Sequence, residues 1–249
     1  MSQETPGFPP PPPGPPGFPP PLPSGSAPSG GGTPWERRRD IGFVSALVET
    51  TKEVLTGPTD FFRSMPVAGG VGSPLLYAVI IGYVGILVSA VYSAVFLLVG
   101  GAARGAFRGL GDRPELARFV EAFEGWGSIA GQVILGPIGI VIGLFVWAGI
   151  VHLMLLLLDG AGQGFEATFR VMAYSHASNV FAIVPICGGL IVVLYGLVLS
   201  IIGLSQAQRI PAWKAVAAVL LPLFLCCCCC GIAIGMMAGG LASILGHAR

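Results

Sequence analysis

The chain has 249 residues, of which 53% are hydrophobic and only 10% charged, and its mean hydropathy is +0.80. A water-soluble domain of ordinary composition carries about 25% charged residues, so most of this chain belongs in lipid. Its net charge of +1, from 13 basic and 12 acidic side chains, supplies no global field for a polyanion, which excludes nucleic acid as a partner.

The N-terminal arm comes first. Residues 5–34 are nearly all Pro, Gly and Ser, and PGFPP occurs twice, at Pro6 to Pro10 and Pro16 to Pro20. With so little to bury and so many fixed φ angles, residues 1–34 are predicted to form a disordered, polyproline-like cytoplasmic tail. Two readings stay open for it: a ligand for an aromatic groove on a protein partner, or a spacer. The opening MSQETPGFPP has neither the basic start nor the apolar core of a cleavable signal, so the first span is expected to act as the insertion signal.

Residues 35–73 form a membrane-proximal region. WERRRD leads into IGFVSALVETTKEVL and then the breaker Gly57-Pro58. Phe43, Leu47 and Val54, with Val44, Val48 and Leu55 between them, fall at helical spacing, and Glu49, Lys52 and Glu53 lie on other sides. This predicts an amphipathic helix, set either on a membrane surface or against the protein's own loops.

The transmembrane region is expected over 74–245. Pro74 to Gly100 is uncharged and exceeds the ~20 residues a bilayer requires. Gln132 to Leu158 is a second such run, with a kink expected near Gly136-Pro137. Between Arg170 and Arg209 no residue carries a formal charge, and the stretch is too long for one helix. A turn at Pro185, Gly188 and Gly189 would divide it into roughly Phe169 to Val184 and Leu190 to Leu204. The last span starts near Pro211-Ala212-Trp213-Lys214 and runs to about Leu245. The expected fold is therefore all-α: a polytopic transmembrane helical bundle of about five spans, or four if the hairpin is re-entrant.

Loop charges indicate an orientation. A cytoplasmic N-terminus places Arg37, Arg38, Arg39, Lys52, Arg63, Arg170, Arg209 and Lys214 inside, against Arg104, Arg108, Arg113, Arg118 and Arg249 outside. In the first loop, PELARFVEAFEGW spaces Leu116, Phe119, Val120 and Phe123 on one face, a second amphipathic helix for the interface.

Five successive cysteines, Cys226 to Cys230, interrupt the last span. Adjacent helical residues are turned by about 100°, so one helix cannot converge four sulfurs on a metal, and thiols in hydrocarbon stay protonated. Cys227, Gly231, Gly235, Gly239 and Ser243 instead form a small-residue stripe, the close-packing mode of membrane helices. Gly85, Ser89 and Ser93 repeat the pattern in the first span, as do Gly139 and Gly143 in the second. A tightly packed bundle follows, with a homo-oligomer as a candidate assembly. No metal and no cofactor is expected.

Ionisable groups at membrane depth are functional candidates because their burial is costly. His152 lies in the second span and Asp159 at its end, seven residues on and so on the same face. The pair could begin a proton or cation path, or His152 could hydrogen-bond a neighbouring helix. YSHASN adds Tyr174, Ser175, His176 and Asn179, lining a small cavity or joining helices. No paired carboxylates within a span, phosphate loop, HExxH or GxSxG elbow is present, so no catalytic residue is assigned.

From about Trp35 to Pro222 the chain resembles the YIP family of multi-span membrane proteins, named for Ypt/Rab-interacting proteins. The likeness rests on ETTKEVLTGPTDFF followed by GSPLLYAVI, on FEATFRVMAYSHASNV with its IP-containing turn, on VLSIIGLSQAQRI, and on PAWKAVAAVLLP. It implies a five-helix fold with a cytosolic N-terminus. Eukaryotic members are associated with small GTPases and vesicle trafficking and often carry DLYGP before the first span. Here LTGP stands at Leu55 to Pro58, which points to a bacterial-type member of an inner or plasma membrane. The expected function is that of a non-enzymatic integral membrane protein organising or binding partners, with a small transporter or channel subunit as the alternative. The expected partners are the lipid bilayer, a second copy, and a protein for the Pro-rich tail.

Overall fold

Two glycines and a proline divide the membrane-proximal region into three short helices. Gly42, at φ +93°, separates α1 (Arg38–Ile41) from α2 (Phe43–Thr56), and Gly57 ends α2 where Pro58 opens α3 (Pro58–Ser64). Proline fits a first helical position because its missing N–H would be unpaired there anyway. The computed structural model describes residues 32–107, 127–225 and 228. Beyond α3 lie α4 (Gly72–Phe107), α5 (Ser128–Leu157), α6 (Gly164–Ser175), a 3-10 helix (His176–Ile183), α7 (Gly188–Ala207) and the apolar helix α8 (Ala212–Leu225).

The described elements are all helical, as the hydropathy pattern requires. Three of them, Gly72–Leu98, Ser128–Leu157 and Gly188–Ala207, are long and apolar enough to cross a membrane. A single helix runs through Pro137 in α5.

Two of the five expected crossings take another form. Residues 169–184 are not one helix: α6 starts earlier, at Gly164, and gives way at His176 to eight residues of 3-10 helix. The turn occupies Pro185, Ile186 and Cys187, with Ile186 at φ +68° and 95% exposed. Gly188 and Gly189 are not in the turn but open α7. A Cβ on Gly188 would come within 2.6 Å of the Phe181 carbonyl, so glycine is required there by close approach. Of the last crossing, Ala212–Leu225 is described.

Glycines set how the helices meet. A Cβ on Gly136 would lie 2.7 Å from Ile86, and one on Gly82 would lie 3.0 Å from Ile140, so α4 and α5 run antiparallel in close contact. Likewise Gly196 and Gly203 of α7 admit Ser178 at 3.0 Å and Val171 at 2.5 Å. Gly139 and Gly143, expected to pack like Gly85, instead face open space among the described residues.

The best-packed core lies at one end of the bundle, where residues 32–71 fold against the helices. Trp35, Phe62, Tyr77, Phe169 and Tyr174 are essentially fully buried, each burial contributing roughly 1.5–3 kcal/mol. Tyr174 stacks obliquely on Tyr77 at 5.2 Å and meets Phe61 edge-on at 5.3 Å. α2 packs through Ala46, Thr50 and Val54, leaving Phe43, Val44 and Val48 exposed. Along the spans Val91, Val95, Ile134, Ile138, Leu190 and Leu194 face outward, an apolar surface suited to lipid.

The Pro-rich arm as far as residue 31, the helix expected over 114–126, and the stripe of Cys227, Gly231, Gly235, Gly239 and Ser243 lie outside the described residues. Of the cysteine run only Cys228 is described, helical and exposed.

Candidate functional site

At the packed end, a charge cluster forms around Arg170. α6 carries this residue fully buried, and its guanidinium meets the Glu36 carboxylate, the Glu166 carboxylate at 3.6 Å and the Gly70 carbonyl at 3.0 Å. A buried guanidinium is tolerable only when paired and hydrogen-bonded, and these three acceptors supply that; its Nε has none. Glu166 stands one helical turn before Arg170 and also accepts the Gly70 N–H at 2.5 Å. Both functions of Gly70, at φ +93°, are thereby held by α6.

The residues before α1 complete the cluster. Glu36 accepts the Thr33 N–H at 3.1 Å, and the Thr33 hydroxyl meets the Tyr174 hydroxyl at 2.9 Å. The Trp35 indole donates to the Ser73 carbonyl at 2.7 Å, and Arg38 donates to the Ser73 hydroxyl at 2.8 Å while stacking over the Trp35 ring. Thr33, within the expected tail, is thus only 4% exposed. The membrane-proximal segment is bolted to the first turn of α4 and to α6.

A second polar centre joins α5, α6 and the end of α7. Gln208, 3% exposed, donates to the Gly164 carbonyl and the Thr168 hydroxyl, both at 2.9 Å, and accepts the Gln163 N–H at 2.8 Å. His152 Nδ1 reaches the same Thr168 hydroxyl at 3.0 Å. Lys214 donates to the Asp159 carbonyl at 2.9 Å, closing this end of the bundle.

The five polar candidates therefore go to different places. His152 binds Thr168 on α6. Asp159 lies beyond the end of α5 at φ +50°, so the seven-residue helical spacing from His152 does not carry through to it. Tyr174 belongs to the aromatic cluster. His176 and Asn179 lie together in the 3-10 helix, where His176 Nδ1 donates to the Met172 carbonyl at 3.0 Å and Asn179 donates to the His176 carbonyl at 2.9 Å. Sequence reasoning missed Glu36, Glu166, Arg170, Thr168 and Gln208. A signal existed for Arg170, the last charge before a long uncharged stretch, but its partners are remote in sequence.

A chain whose described elements are all helical, three of them long and apolar enough to cross a membrane, with an apolar outer surface and one polar, aromatic end, is an integral membrane protein. Residues 52–234, well over half of it, match the Yip1 domain, and the chain belongs to that family. No curated protein and no solved structure matches it. Thr33, Trp35, Glu36 and Arg38 precede the matched residues, yet Arg170 lies within them.

Proposed function

We propose that this Yip1-domain protein acts without catalysis, organising or binding partners at the membrane through its N-terminal region. The observation that carries this reading is the attachment of residues 33–38 to Arg170, Tyr174 and Ser73. A tail leaving from Thr33 starts at a fixed point on the bundle, and α2 beside it presents Phe43, Val44 and Val48 to the surroundings. An arm rich in proline keeps its binding conformation at low entropic cost, which suits recognition by an aromatic groove. The positive-inside count supports a cytoplasmic N-terminus in a multi-pass protein of a bacterial inner or plasma membrane, and the small-residue stripe at the C-terminal end supports self-association.

In-cell crosslinking followed by mild purification, comparing the full chain with one lacking residues 1–31, tests the reading. Ending the deletion at residue 31 spares Thr33 and Pro34, which are buried. A partner recovered with the full chain and lost with the arm supports it. Identical recovery from both chains overturns it, and a His152-dependent ion flux in reconstituted vesicles would move the assignment to transport.

A further inference from the structure

The open glycines of α5 line a trough. Gly131, Leu135, Gly139, Gly143 and Trp147 follow one another at intervals of four, the ridge spacing of a helix, and form one wall of a cavity of about 590 Å³. Neither Gly131, Gly139 nor Gly143 has any atom within 4 Å of where a Cβ would stand. The sixteen helical steps from Gly131 to Trp147 cover about 24 Å, so the trough is long compared with the ~15 Å depth of one hydrocarbon leaflet.

It adjoins a smaller pocket of about 200 Å³, and the two share Trp147 and His176 as walls. The small pocket has a different chemistry, with Ser175, Ser178, Asn179 and Ser200 in its lining. Ser175 and Ser200 are satisfied by carbonyls of their own helices. Ser178 is 3% exposed and its hydroxyl has no hydrogen-bond partner among the described residues. Because His176 Nδ1 donates to Met172, the neutral ring leaves Nε2 as an acceptor, also without a described partner. Neither atom is sealed inside the protein, since the fully buried side-chain atoms without a partner among the described residues are Arg37 Nε, Thr50 Oγ1 and Arg170 Nε; both groups open onto accessible space, where they suit a ligand that can donate and accept. Among the described residues no charged side chain lines either space.

We propose that this composite cavity binds an uncharged membrane lipid bearing a free hydroxyl, with one hydrocarbon chain along Gly131 to Gly143 and the hydroxyl in the small pocket at Ser178. The apolar wall selects the chain, the unpaired groups select the hydroxyl, and the lack of any charge disfavours phosphate-bearing headgroups, which would be desolvated without a counter-ion.

The test uses the full-length protein in lipid nanodiscs with a photoreactive diacylglycerol carrying a diazirine in one acyl chain, and with its O-acetyl ester as the hydroxyl-free control. Labelled peptides are mapped by mass spectrometry. The free diacylglycerol is expected to label residues 131–147 about fivefold more than the acetylated probe, the worth of one net hydrogen bond. Ser178→Ala should abolish that difference, and Gly139→Leu, which fills open space, should lower labelling by both probes without lowering the thermal midpoint. Equal labelling of outward residues such as Ile134 and Leu153, unchanged by Gly139→Leu, overturns the proposal. Protein–protein crosslinks from position 139 overturn it too, giving the trough to a second copy. If Gly139→Leu does not fold, Ser178→Ala alone decides the outcome.

Discussion

Arg170 and Glu36 are 134 positions apart and form an ion pair in which the arginine is fully buried and the glutamate side chain is 18% exposed. This contact fastens the entrance of the chain to the middle of the Yip1 domain. Its worth is asymmetric, because removing either partner leaves a charge in a poorly hydrated place.

Arg170→Ala is expected to destabilise the protein by about 3–5 kcal/mol, since Glu36 and Glu166 lose their buried counter-charge and the Gly70 carbonyl loses its donor. Glu36→Gln keeps the shape and a weaker acceptor, and should cost less. Thermal unfolding in detergent, read by helicity, measures both. Limited proteolysis should also show faster cleavage between residues 32 and 42 in each variant, and an unchanged cleavage rate would refute the tethering role.

Glycine substitutions should separate packed from open sites. At Gly203 a Cβ would come within 2.5 Å of Val171 and 3.1 Å of Phe62, so Gly203→Ala should destabilise by about 1–3 kcal/mol through overpacking. Gly139→Ala meets nothing and removes a flexible residue from a helix interior, so it should be neutral or stabilising by up to ~1 kcal/mol. The same melting assay decides, and equal effects at the two positions would contradict the helix contacts described.

Gln208→Leu removes two donated bonds and one accepted bond at a buried site. Leaving Gly164, Thr168 and Gln163 unpaired should cost about 1–3 kcal/mol or more, whereas Arg209→Leu next door, at an exposed position, should change stability by less than about 0.5 kcal/mol. Hydrogen exchange at the Gln163 amide gives a local check, with faster exchange expected in Gln208→Leu alone.

Glu53 gives a pH dependence with a definite sign. Desolvation, reinforced by the Glu49 charge and opposed by Arg37, holds its carboxyl above the ordinary value. The folded protein therefore keeps this proton to higher pH than the unfolded chain does, and stability falls as pH rises from the ordinary carboxylate range through the raised folded value. Glu53→Gln removes this dependence, and the variant should gain stability relative to the parent at pH 7 and lose that gain below pH 4. Melting curves across that interval test it, and a gain confined to acid would reverse the assignment.

Much of the fold was legible in the sequence because hydrophobic runs in lipid need no partner to be recognised. Pro74 to Gly100 and Gln132 to Leu158 fall within α4 and nearly match α5. Packing faces were harder to read. On α2 the periodic large residues suggested Phe43, Leu47 and Val54, but the row against the core is Ala46, Thr50 and Val54, because close approach of helices selects small side chains. The charge cluster was not legible, since nothing in WERRRD and FEATFR reveals that two short words so far apart meet. The change from α to 3-10 winding at His176 was equally hidden, as both share the same composition.

That winding also sets a thread. In a 3-10 helix residues three apart eclipse one another, so His176 and Asn179 stand in one file, and they meet Gly82 and Gly85, which are three apart on α4. Two screws of different pitch are engaged at matching notches. One residue inserted between His176 and Asn179 turns everything downstream by about 120°, lifting Asn179 out of the Gly85 notch and swinging the Pro185 turn around the bundle. The length of this segment is therefore constrained more tightly than its amino-acid content.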